Sequence, residues 1–97
     1  MEEKFVRAWL AARAEAATLG VRLRPMDEKA ALSQAHYCLQ GHRPSDGFDA
    51  LVSKGRWELT LEALAADKRY TALFSDDEVN TALQRLLDAS CFLFPPL

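Results

Sequence analysis

Arg56-Trp57-Glu58-Leu59-Thr60-Leu61-Glu62-Ala63-Leu64 is the stretch that decides the fold class of this chain. Trp57, Leu59 and Leu61 alternate with Glu58, Thr60 and Glu62, which is the period of a half-buried strand. The same segment carries Trp57, Leu61, Leu64 and Ala65 at helical spacing. The first pattern makes the chain α+β with a short strand at 57–61; the second makes it all-α. Glu62-Ala63-Leu64-Ala65-Ala66 continues with strong helix formers and no turn signal intervenes, so the helix is preferred. The expected fold is all-α, a compact bundle of five to six short helices in one domain over residues 1–97.

Toward the C-terminus, a short turn through Tyr70, Leu73 and Phe74 leads into Ser75-Asp76-Asp77-Glu78. This is a capping box, with the serine hydroxyl capping the first turn and the glutamate reaching back to the serine amide. Val79, Leu83, Leu86, Leu87 and Ser90 then fall on one helical face. The segment Cys91-Phe92-Leu93-Phe94-Pro95-Pro96-Leu97 that follows carries no charge. Burying Phe92, Leu93, Phe94 and Leu97 is worth about 1.5–3 kcal/mol each, so this tail is expected to lie against an apolar surface. That surface is either the first helix near Phe5 and Trp9 or a second subunit or partner.

Toward the N-terminus, Ser45 is placed to cap a short helix with Phe48, Leu51 and Val52 inward and Gly55 at its end. A helix with Asp27 as its cap is expected to run to about Gln40, with Ala31, Leu32, Ala35, Cys38 and Leu39 on its apolar face and Gly41 as its stop. Val21-Arg22-Leu23-Arg24-Pro25 alternates and meets a proline, so it is an extended connector. The first helix spans about residues 2–19, with Phe5, Trp9, Ala12, Ala16 and Leu19 at helical spacing.

Ninety-seven residues suffice for one core, and the balance of 49% hydrophobic and 27% charged residues is that of a globular chain. Eight arginines against four lysines is a bias of the kind a GC-rich bacterial genome produces. The formal charge of −2 hides a gradient: residues 1–30 and 31–56 each sum to +1, and residues 57–97 to −4. No apolar run approaches the roughly 18–20 residues that cross a bilayer, and the acidic start, Met1-Glu2-Glu3, is wrong for a secretory signal. A cytoplasmic location is expected, with Cys38 and Cys91 reduced.

His36, Cys38 and His42 invite a metal test, but their spacing matches no standard zinc pattern and a second ligand pair is missing. Cys38 and His42 are separated by the helix-stopping Gly41, which spoils a nucleophile–base pair. Asp76/Asp77 and Glu2/Glu3 are explained by helix N-termini. The expectation is therefore no enzyme, no catalytic residue, no metal and no cofactor. A helix-turn-helix over residues 45–66, with Arg56, Trp57 and Glu58 opening the recognition helix, is the alternative, although Glu58, Glu62 and Asp67 would face phosphates.

The polar, turn-rich loop Gly41-His42-Arg43-Pro44-Ser45-Asp46-Gly47 supplies the remaining interaction candidates. Arg43 can pair with a carboxylate or phosphate, and Asp46 with a cation; His42 stands beside them. With Phe92, Leu93, Phe94 and Leu97, these residues point to a small protein–protein interaction module, an adaptor, inhibitor or regulatory subunit. Its expected partner is another protein or a second copy of itself as a homodimer, with neither nucleic acid nor membrane.

Overall fold

A computed structural model describes residues 2–89, and it is all-α, with five α-helices and no strand among those residues. Helix α1 runs Glu2–Thr18, with Glu2 and Glu3 in its first turn, where their charges favour the helix dipole. It buries Phe5, Trp9, Ala12 and Ala16, one stripe at helical spacing. Gly20, at φ +85°, turns the chain into the connector that precedes Asp27.

Asp27 caps a single 3-10 turn, Glu28–Ala30, by accepting from the Lys29 amide, and this turn leads directly into α2, Ala31–Gln40. Helix α3, Phe48–Ser53, buries Phe48 and Leu51. Its N-cap is Gly47 at φ +79°, not the expected Ser45, whose side chain is used elsewhere.

The deciding segment is helical, but it is not one helix. Trp57–Leu59 forms a 3-10 turn. Thr60 then adopts an extended conformation, φ −77° and ψ 155°, and its hydroxyl accepts from the Ala63 amide to start α4, Leu61–Ala65. A further 3-10 turn, Thr71–Leu73, leads to α5, Asp76–Asp88, whose capping box is complete: Ser75 Oγ accepts from the Glu78 amide and Glu78 accepts from the Ser75 amide. Helix α5 turns Glu78, Ala82 and Leu86 inward, and Leu87, expected on that face, is 54% exposed. Leu87 follows Leu86 by one residue, about 100° around the helix, so both cannot share a narrow inner stripe. Ser90 and the tail candidates Phe92, Leu93, Phe94 and Leu97 lie outside the described residues.

The centre of the core is Phe5. Its ring meets Tyr70 and Phe74 edge-on, at centroid distances of 5.6 and 5.3 Å, and Trp9 at 5.9 Å, the separations at which aromatic pairs gain beyond area burial alone. Ala31, Ala35 and Leu39 of α2, Leu61, Leu64 and Ala65 of α4 and Ala82 of α5 complete this cluster. Small residues at 31, 35 and 82 let the helices approach closely. Helix α5 packs against both α4 and α2, and that three-way junction positions the site.

Candidate functional site

Two carboxylates lie inside the junction. Glu62, the second residue of α4, is fully buried because its neighbours Leu61, Leu64 and Ala65 carry the helix into the core. A buried carboxylate is tolerated only when its oxygens are satisfied and its charge is opposed. Both conditions hold here. Ser45 donates its hydroxyl to Oε1 at 2.6 Å and its amide to Oε2 at 2.8 Å, and Arg85 Nη1 of α5 donates to Oε2 at 3.1 Å. The Arg85 side chain is itself 10% exposed, and its Nη2 donates to the Gly41 carbonyl at 3.0 Å.

Arg85 and Glu62 thus hold opposite ends of the loop 41–47, Gly41 through the cation and Ser45 through the anion. Asp46 fixes the loop a third time, accepting the Arg24 amide at 2.6 Å. Gly47 closes against the connector so tightly that a Cβ there would stand 2.6 Å from Leu23 Cδ2 and 3.0 Å from Val21 Cγ1.

Glu78, at the third position of α5, is the second buried carboxylate. Its Oε1 accepts the Ser75 amide at 2.8 Å, while Oε2 accepts from Gln40 Nε2 at 3.0 Å and His36 Nδ1 at 2.7 Å, both from α2. The same group completes a helix cap and ties α2 to α5. Burial pushes its carboxyl up, but the Ser75 amide, His36 and Gln40 together outweigh burial and hold it below the ordinary glutamate value. The His36 ring also lies 5.1 Å from Phe74. Among the described residues no buried side-chain nitrogen or oxygen lacks a hydrogen-bond partner.

The loop residues singled out from sequence take different places. His42 and Arg43 are exposed, with no ion pair to either among the described residues. Asp46 is exposed too, but its carboxylate serves the loop's own anchorage. Cys38, His36 and His42 do not converge: His36 is committed to Glu78, and Cys38 packs against the main core. Burial raises the Cys38 thiol above its usual value, which keeps it protonated at neutral pH and weakens it as a nucleophile.

Glu62, Arg85 and Gln40 were not foreseen, and Glu78 was expected only as the capping-box partner of Ser75. For α5 a signal existed, because Glu78, Ala82, Arg85 and Ala89 recur at helical spacing and place two charges on the inward stripe. For Glu62 the signal was a lone carboxylate inside the apolar run Leu59–Ala66. Its partners are 17 and 23 residues away, so only the fold identifies them.

An open groove of about 600 Å³ lies between the Trp57 turn and α5, with Trp57, Leu64, Leu83 and Leu86 among its walls. Its charged walls include Asp67 and Arg69, which pair with each other at 2.9 Å. No helix among the described residues is long and apolar enough to cross a membrane. Compared with known proteins, the chain matches no family model, and neither a curated protein nor a solved structure is found to be similar to it.

Proposed function

We propose that this protein is a small protein–protein interaction module, an adaptor, inhibitor or regulatory subunit of the cytoplasm without catalytic activity. Its docking element is the loop 41–47. The observation that carries this reading is the loop's three-point anchorage, by Glu62, Arg85 and Asp46, beneath the exposed His42 and Arg43. A loop already ordered in the free protein loses little conformational entropy when it binds, so its contacts translate more fully into affinity. The buried carboxylates support the same reading. Glu62 accepts three hydrogen bonds and Glu78 three, so both are occupied in holding structure together.

Less supports a helix-turn-helix over residues 45–66. The segment that would open its recognition helix is a 3-10 turn, and α4 has five residues of which Leu61, Glu62, Leu64 and Ala65 are buried. A reading helix needs an exposed face to enter a groove.

The test is comparative affinity capture from the source cell with the wild type and a His42→Ala/Arg43→Ala variant. Neither side chain is buried or engaged in a hydrogen bond or ion pair among the described residues, so the fold is expected to survive, as circular dichroism can check. Partners retained by the wild type and lost by the variant support the proposal. An identical captured set contradicts it. Light scattering on the same samples shows whether the partner is a second copy.

A further inference from the structure

Resting on the reading that the loop is the docking element, we propose that the loop and the connector beside it form an arginine surface that takes an acidic peptide segment of a partner protein. The connector alternates: Val21 is buried and Leu23 partly so, both against Gly47, while Arg22 and Arg24 between and after them are exposed. The Arg24 amide donates to Asp46, which sets Arg24 beside the loop, and Arg43 lies three residues before Asp46. From α1, Arg13 donates its guanidinium to the Arg24 carbonyl and lies 5.9 Å over the Trp9 ring.

Arg13 and Arg24 therefore meet at one backbone junction, and Arg22 and Arg43 lie two and three residues along the chain from its Arg24 and Asp46. Among the described residues none of the four is ion-paired, whereas Arg56, Arg69 and Arg85 each hold a carboxylate. Of the acidic groups close to them in sequence, Asp46 is engaged by the Arg24 amide, Asp27 by the Lys29 amide and Glu15 by Arg56, while Glu28 and Asp49 are exposed. Desolvation of a guanidinium costs less than that of an ammonium, and its planar fork matches a carboxylate.

A peptide is favoured over nucleic acid by the rest of the molecule. Residues 57–97 carry a net charge of −4, and Glu58, Asp76, Asp77 and Asp88 among them are exposed, which disfavours a duplex running beyond the patch. Four guanidiniums also fall short of the roughly 6–10 phosphate contacts of a strongly salt-dependent DNA binder. A short acidic segment covers the patch and ends there.

The experiment is a fluorescence-anisotropy titration of the full-length protein against a labelled peptide of alternating glutamate and glycine, with a glutamine–glycine peptide as reference. The expected result is binding of the glutamate peptide only, weakened several-fold between about 50 and about 200 mM salt. Arg24→Gln with Arg43→Gln should weaken it about tenfold or more, since two charge-assisted contacts are removed. Lys54→Gln with Lys68→Gln, exposed charges elsewhere, should change it less than about twofold. Arg24 uses only its backbone in the anchorage, so the variant keeps the fold.

Equal binding of both peptides, or equal loss in both variants, overturns the proposal. So does tighter binding of duplex DNA, or a homodimer that the Arg24/Arg43 variant dissociates, each of which names a different occupant. If the peptide fails while His42→Ala/Arg43→Ala still strips captured partners, the partner's chemistry is wrong and the docking loop stands. If both fail, the loop is not the docking element.

Discussion

Replacing Glu62 by glutamine removes one charge from the interior and tests whether the junction depends on it. The carboxylate is fully buried and accepts Ser45 Oγ at 2.6 Å, the Ser45 amide at 2.8 Å and Arg85 Nη1 at 3.1 Å. Glutamine matches its volume but offers a single acceptor oxygen and turns an NH2 group toward donors. Removing one partner of a buried ion pair costs about 3–5 kcal/mol, because the other charge is left unopposed. Arg85 keeps the Gly41 carbonyl and is 10% exposed, so the lower end, about 3 kcal/mol, is expected. Domains of this size have about 5–15 kcal/mol in all, and each kcal/mol shifts Tm by about 4–8 °C, so a fall of roughly 12–24 °C follows. The assay is urea unfolding at pH 7 read by far-UV circular dichroism, with the slope m unchanged. Glu58→Gln is the internal control: its ion pair with Arg56, at 2.7 Å, is half-exposed and should matter by less than about 1 kcal/mol. A Glu62→Gln variant no less stable than the Glu58→Gln control would refute the reasoning.

Ser75→Ala should cost about 1 kcal/mol by removing the hydroxyl that caps the Glu78 amide, measured by the same unfolding experiment. Gly47→Ala combines a left-handed backbone with a Cβ driven into Leu23 and Val21, and should cost about 3 kcal/mol. Gly55→Ala, at φ +74° with nothing within 4 Å of its Cβ, should cost only about 1 kcal/mol. Glu78 has a folded-state pKa below its unfolded value, so its contribution is complete above the unfolded value, about 4.3, and is lost as the pH falls through the lower folded value. Stability measured from pH 6 downward should therefore fall less steeply in Glu78→Gln than in the wild type, while both keep the contributions of Glu58 and Asp67, held down by Arg56 and Arg69.

The helices themselves were legible because their signals are local. Ser75 and Glu78 stand three apart at the start of an apolar stripe, and they form the capping box that spacing implies. The double periodicity at 57–64 has a physical origin: Thr60 interrupts the helix with an extended residue, so Trp57, Leu59 and Leu61 alternate across a 3-10 turn and the first residue of α4. Choosing helix over strand was right, and the break at Thr60 was invisible to a rule that assumes one period. Ser45 shows the limit more sharply. A serine before an apolar run is a good cap by propensity, but a buried carboxylate 17 residues later offered its hydroxyl a charged acceptor, which is the stronger bond. The loop was recognisable as a candidate from its polar composition. Its anchorage was not, since it depends on Glu62 and Arg85 arriving from two other helices.

That anchorage is the centre of the account, and the Ser45 amide reports on it directly. It lies in a loop, yet donates at 2.8 Å to a fully buried carboxylate. Native-state amide hydrogen exchange should show Ser45 protected to the level of the core helices α4 and α5, opening only with global unfolding, and losing that protection in Glu62→Gln. Exchange of the wild-type Ser45 amide at the rate of the exposed His42 and Arg43 amides would contradict the account.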